Sequence, residues 1–188
     1  MRDDVHAPGE LPLKRMVLSC LFAALTAVGA FISIPVGPVP IVLQNFFVLL
    51  AGLVLGPRWG LASAGIYLLT GVLGFPVFSL GRGGIAHLAG PTGGYLVGYL
   101  PAVLLTGAVA RTGKPSLLRD GAAAAVGAAA VYACGVPWLK FVLHLGWREA
   151  VLAGLLPFLI GDAVKVAAAA AAARLIRPLV ELPAWFKD

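Results

Sequence analysis

Long apolar runs separated by short breaks repeat from residue 16 to residue 175. A membrane-spanning helix needs about 20 consecutive, mostly apolar residues. On that measure the pattern predicts spans at about 16–34, 41–56, 59–75, 95–110, 121–143 and 151–175. The breaks carry their own chemistry. Pro35, Pro38 and Pro40 exclude regular helix between the first two spans, since proline lacks the N–H and biases its predecessor to extended geometry. Gly56-Pro57-Arg58 is a turn, Pro76 ends the third span, R-T-G-K-P-S-L-L-R-D is a polar connection, and Gly135 and Pro137 interrupt the fifth span. Residues 1–13 form a polar lead and 176–188 a tail. The prediction is an all-α integral membrane protein: one domain, a six-transmembrane-helix bundle.

Residues 76–94, P-V-F-S-L-G-R-G-G-I-A-H-L-A-G-P-T-G-G, are the least helical part, with six glycines. Irregular backbone at membrane depth is tolerated only where protein buries it or where it lines a cavity. The segment is therefore expected to fold as a re-entrant or lid-like loop over a pocket between the third and fourth helices.

Composition agrees: 60% of the residues are hydrophobic and only 12% charged, against about 25% charged in soluble domains. The net charge of +6 is scattered between apolar runs, so it describes orientation and not nucleic-acid binding. With both termini cytoplasmic, the inner side carries Arg2, Lys14, Arg15, Arg58, Arg111, Lys114, Arg119, Arg174, Arg177 and Lys187, and the outer side only Arg82, Lys140 and Arg148. That asymmetry fits the positive-inside rule for a multi-pass protein of the plasma membrane. Lys14 and Arg15 before an apolar run resemble a signal peptide, but no small-x-small cleavage site interrupts the run to Ile34. Cys20 and Cys134 lie in apolar runs without metal-ligand spacing; no metal or cofactor is expected.

Asp162 is the only acidic residue within these apolar runs, and Lys165 follows it by three positions. A charge at the centre of a membrane helix costs about 2.5–3.5 kcal/mol, and an i, i+3 spacing puts both groups on one face. Together they form either a ligand site, the carboxylate accepting N–H groups and the ammonium donating, or an ion pair that neutralises itself. Gln44 and Asn45 add polar groups near the start of the second span. Tyr95 and Tyr99, one turn apart, face one pocket or else anchor at the interface. Arg82 in the glycine-rich loop is suited to a carboxylate or is simply exposed, and His87 is a loop residue. The loop lacks P-loop spacing. Ala23 and Ala27 make a small-xxx-small pattern for close helix approach, within the chain or to a partner, and the seven alanines Ala167 to Ala173 give a smooth packing surface.

The ordered set I-P-V-G-P-V-P-I-V-L-Q-N-F-F-V-L-L-A-G-L-V-L-G-P-R-W-G from Ile34, G-R-G-G, G-P-T-G-G-Y-L-V-G-Y and F-L-I-G-D-A-V-K closely resembles the BioY family, the biotin-binding S components of energy-coupling-factor transporters. The resemblance covers nearly the whole chain. It implies a six-helix bundle that captures biotin from outside, with a transmembrane coupling protein and two cytoplasmic ATPases as partners. It also implies that Ala23 and Ala27 dock on the coupling protein. This chain has no Walker motif of its own. Within the resemblance, Asp162 accepts a ureido N–H, Lys165 supports the ureido carbonyl or orients Asp162, and Gln44 completes the polar set. Tyr95 packs on the bicyclic ring with Tyr99 beside it, Gly84 and Thr92 belong to the lid, and Arg82 stands near the carboxylate. Two other readings compete: an intramembrane enzyme using Asp162 and Lys165 as acid and base, and a carrier for another vitamin.

Overall fold

The computed structural model describes residues 10–180; most of the expected lead and tail, with Arg2 and Lys187, lies outside the described residues. Helix α1 (Glu10–Phe31) ends three residues earlier than the apolar run suggested. The chain then forms a short antiparallel ribbon, β1 (Ser33–Ile34) against β2 (Ile41–Val42), across the connection expected to be non-helical. Pro35, Pro38 and Pro40 lie in its connection, where they can give no ladder hydrogen bonds, so the strands stay two residues long.

Helix α2 (Gln44–Val72) is broken at Gly56, whose φ of 78° and ψ of −175° only glycine adopts readily. In a straight helix, Gln44 and Tyr67 would lie about 35 Å apart at 1.5 Å per residue. Instead the Tyr67 hydroxyl donates to Gln44 Oε1 across 3.3 Å, so the arms 44–55 and 57–72 double back on each other. The break orphans two backbone acceptors. Pro57 has no N–H for the Leu53 carbonyl, and Arg177 serves it instead, from Nε at 3.1 Å and Nη2 at 2.9 Å. Arg111 Nη2 serves the Leu55 carbonyl at 3.3 Å.

A one-turn helix, α3 (Ile85–Ala89), sits in the glycine-rich segment, followed by α4 (Gly93–Ala110), which packs between α2 and α5 (Leu117–Leu143). Helix α5 starts earlier than residue 121, capped by the Ser116 side chain, which accepts from the Arg119 backbone N–H. It also runs unbroken through Gly135 and Pro137, correcting the expected interruption; a buried helix tolerates proline where neighbours supply the packing. The early start draws Asp120 fully inside, where it takes a bidentate pair from Arg177, 2.8 and 2.9 Å. Asp162 is therefore not the only buried acid.

The last span is not continuous. Helix α6 (Trp147–Gly154) gives way to a 3₁₀ turn, Leu156–Phe158, containing Pro157, before α7 (Leu159–Val180) begins. Helix α7 runs past residue 175 and carries Arg177 as part of the bundle instead of a tail. Five helical segments among the described residues are long and apolar enough to cross a membrane. Leu53, Val54, Leu55, Val103 and Leu139 pack the centre, whereas Leu118, Ile160 and Leu179 stand more than four-fifths exposed, as side chains facing lipid would.

Candidate functional site

The site forms where α2, α4, α5 and α7 meet the ribbon. The 3₁₀ turn at Pro157 places Asp162 in the first turn of α7, where the helix dipole favours a negative charge. Lys165, one turn on, donates to Asp162 Oδ1 at 2.7 Å. Tyr132 of α5 donates to Oδ2 at 2.5 Å, and Asn45 Nδ2 stands 3.5 Å from the same oxygen.

Asn45 carries the network into α2. Its Oδ1 accepts from the Tyr99 hydroxyl at 2.6 Å, and that hydroxyl accepts from Gln44 Nε2. Gln44 Oε1 in turn accepts from Tyr67. Each amide therefore has its orientation set by a partner on another helix arm, and a satisfied buried network of this kind holds its members rigidly. Tyr95 is placed differently: its hydroxyl donates to the Gly154 carbonyl at 2.7 Å, and its ring lies over Gly135. A side chain at Gly135 would overlap that ring, and one at Gly154 would overlap the hydroxyl.

These groups enclose an inner cavity of about 40 Å³, walled by Tyr95, Leu96, Tyr99, Tyr132 and Phe158, with Gln44, Asn45, Asp162 and Lys165 as its polar groups. Pro40, Ser79 and Thr92 border both this cavity and a wider vestibule of about 510 Å³. The vestibule lies between the proline ribbon connection and the glycine-rich segment, and Arg82 and His87 line it. The inner cavity alone is far below the 300–1,000 Å³ of small-molecule pockets; the vestibule supplies that room. The sequence of environments is acceptor and ammonium inside, aromatic rings between, cation at the mouth.

Of the expected site residues, Asp162, Lys165, Gln44, Thr92, Tyr95 and Tyr99 line the inner cavity and Arg82 the vestibule. Gly84 lines neither; at φ 87° it ties the loop to α2 by donating to the Gly71 carbonyl at 2.7 Å. His87 does more than fill a loop. It stacks on Phe78 with centroids 5.3 Å apart, and its Nε2 lies 3.2 Å from Thr92 Oγ1. Burial, with the positive Arg82 nearby, holds its imidazole below the usual histidine range. Asn45, Tyr132, Ser79 and Phe158 were not singled out as site residues. Asn45 adjoins Gln44 in an apolar run, and Tyr132 is the one hydroxyl in α5, which are the signals that mark them. Ala23 turns into the core, 5% exposed, and Ala27 is half-buried. The small face of α1 thus packs largely within the chain. Among the described residues no group of three histidine, cysteine or acidic side chains converges on a metal position.

The BioY family model matches residues 2–182. A probable biotin transporter BioY from Pyrococcus horikoshii is 46% identical over 157 residues, 83% of this chain and 91% of the relative. The biotin transporter BioY of Thermotoga maritima is 40% identical over 167 residues, 89% and 98% of the two chains. The crystal structure of the S component for biotin from an ECF-type ABC transporter superposes with a TM-score of 0.86 at 29% identity, covering 92% of this chain and 95% of that one.

Proposed function

The chain belongs to the BioY family, and from that membership we propose that it is the biotin-binding membrane subunit of an energy-coupling-factor vitamin importer. It is a transporter component whose work is binding, with no chemistry done on the ligand. The observation that carries the reading is the Asp162–Lys165 pair at the inner cavity, with Arg82 at the vestibule. Biotin has ureido N–H donors and a carbonyl at one end and a carboxylate at the other. Asp162 and Asn45 suit the donors, Lys165 the carbonyl, the tyrosine rings the apolar bicycle, and Arg82 the carboxylate.

Counting the two arms of α2 separately gives six membrane passages, which returns both termini to one side. The ten basic residues assigned to that side make it cytoplasmic, in the plasma membrane. The glycine-rich segment and the proline connection then form an outward-facing lid. A transmembrane coupling protein and two ATPases are the partners that energise release, and α1 carries the face that meets the coupling protein. Within the expected docking pair, Ala27 suits that contact, whereas the burial of Ala23 argues against it.

Calorimetric titration of the ligand-free, detergent-purified chain tests the ligand. Saturable one-to-one binding of biotin, with desthiobiotin weaker and thiamine inert, is expected; binding of thiamine instead, or of neither, refutes the assignment. Ala27→Trp is expected to abolish energised uptake and spare binding, and intact uptake would remove the docking role.

A further inference from the structure

An apolar groove of about 510 Å³ runs between α5 and α7. Ala125, Ala128, Ala129, Leu159, Ala163 and Val166 line it, and Ala125, Ala129, Leu159 and Ala163 are exposed. Both helices are of membrane-spanning length and polarity, so this groove opens on hydrocarbon. Tyr132 and Asp162 line it as well as the inner cavity. The wall between the polar cavity and the lipid is therefore one side chain thick.

We propose that the Tyr132 ring is the partition that shuts the ligand cavity off from the bilayer, and so excludes ligands whose alkyl chain would extend from the cavity into the lipid. Two contacts hold the ring across the gap: its hydroxyl donates to Asp162 Oδ2 at 2.5 Å, and it meets Tyr95 edge-on, centroids 6.4 Å apart at 88°. Its neighbours in the groove are four alanines with Leu155, Leu159 and Val166, none of them an aromatic ring that could replace it across the opening. A carboxylate open to hydrocarbon is costly, so shielding Asp162 is a task distinct from orienting it.

The inference rests on Asp162 receiving a ureido N–H, and its test separates the two claims. N-dodecylurea carries the same donor head on a chain that the groove can hold once the ring is gone. Replacing Tyr132 by Phe keeps the ring and loses the hydrogen bond, whereas replacing it by Ala loses both. Dodecylurea is expected to compete with biotin about tenfold better in Tyr132→Ala than in Tyr132→Phe or the unaltered protein, and biotin to dissociate faster. Adding Ala163→Leu to Tyr132→Ala should refill the opening and reverse the gain; Tyr132→Ser replaces the Ala variant if that one does not purify. Equal competition in the Phe and Ala variants, or none in any, overturns the partition. Failure of the underlying site reading would appear elsewhere, as unchanged biotin affinity in Asp162→Asn.

Discussion

Arg177, at the far end of α7, donates two hydrogen bonds to the carbonyl of Leu53, the acceptor that Pro57 leaves unserved. The same guanidinium holds the fully buried Asp120 of α5. One side chain thus serves one of the two acceptors freed at the break in α2 and ties three helices together. Removing one partner of a buried pair costs about 3–5 kcal/mol, because the other charge is left uncompensated. Arg177→Met should lower thermal stability in detergent by that order. The double variant with Asp120→Leu should recover part of the loss but not all, since the Leu53 carbonyl stays unpaired. Full recovery would show that the carbonyl contributes nothing.

Asp162→Asn replaces a charged acceptor that Lys165 and Tyr132 both use. Hydrogen bonds to charged groups are worth about 1.5–3 kcal/mol, so biotin affinity measured by calorimetry should fall roughly tenfold to a hundredfold. Asn45→Ala is expected to weaken binding as well, because Tyr99 and Asp162 both face its amide.

Gly154→Ala would set a methyl group against the Tyr95 hydroxyl, and Gly135→Ala one against its ring. Overpacking of this kind costs about 1–3 kcal/mol. Both variants should lose stability in thermal unfolding and bind biotin more weakly, since Tyr95 is displaced into the inner cavity. Stability loss with wild-type affinity would place the Tyr95 ring outside the ligand's reach.

His87 has a pH signature of definite sign. Burial first, and Arg82 second, depress its folded-state value below that of the unfolded chain. The neutral ring's contribution is therefore complete above the unfolded value of about 6.5 and is lost as pH falls through the lower folded value. Hydrogen-exchange protection in residues 85–92, taken relative to the intrinsic amide rate at each pH, should fall on acidification, and His87→Gln should flatten that dependence. A slope unchanged in the variant would assign the loosening to another group.

Much of the fold was legible along the chain because the controlling interactions are local. A run of apolar residues has no good solvent but lipid or a core, so the spans could be placed to within a few residues. The bend in α2 was legible too: glycine, then proline, at positions 56 and 57 leaves the helix no way through. Less legible were the ends, where capping by Ser116 and the Pro157 turn shifted α5 and divided the last span.

Sequence alone thus determined the apolar spans, the breaks between them and the presence of a charged pair one helical turn apart in α7, since each follows from neighbours within a few residues. It also carried the family resemblance, with Asp162, Lys165, Gln44 and Tyr99 as candidates. Only the tertiary structure decided which polar groups meet. Asp120 met Arg177, Tyr132 met Asp162 and Tyr99 met Asn45 across different helices. Such pairings depend on the rotation and depth of each helix against its neighbours. In an interior where every unpaired polar group is expensive, the helices settle in the registers that satisfy these groups.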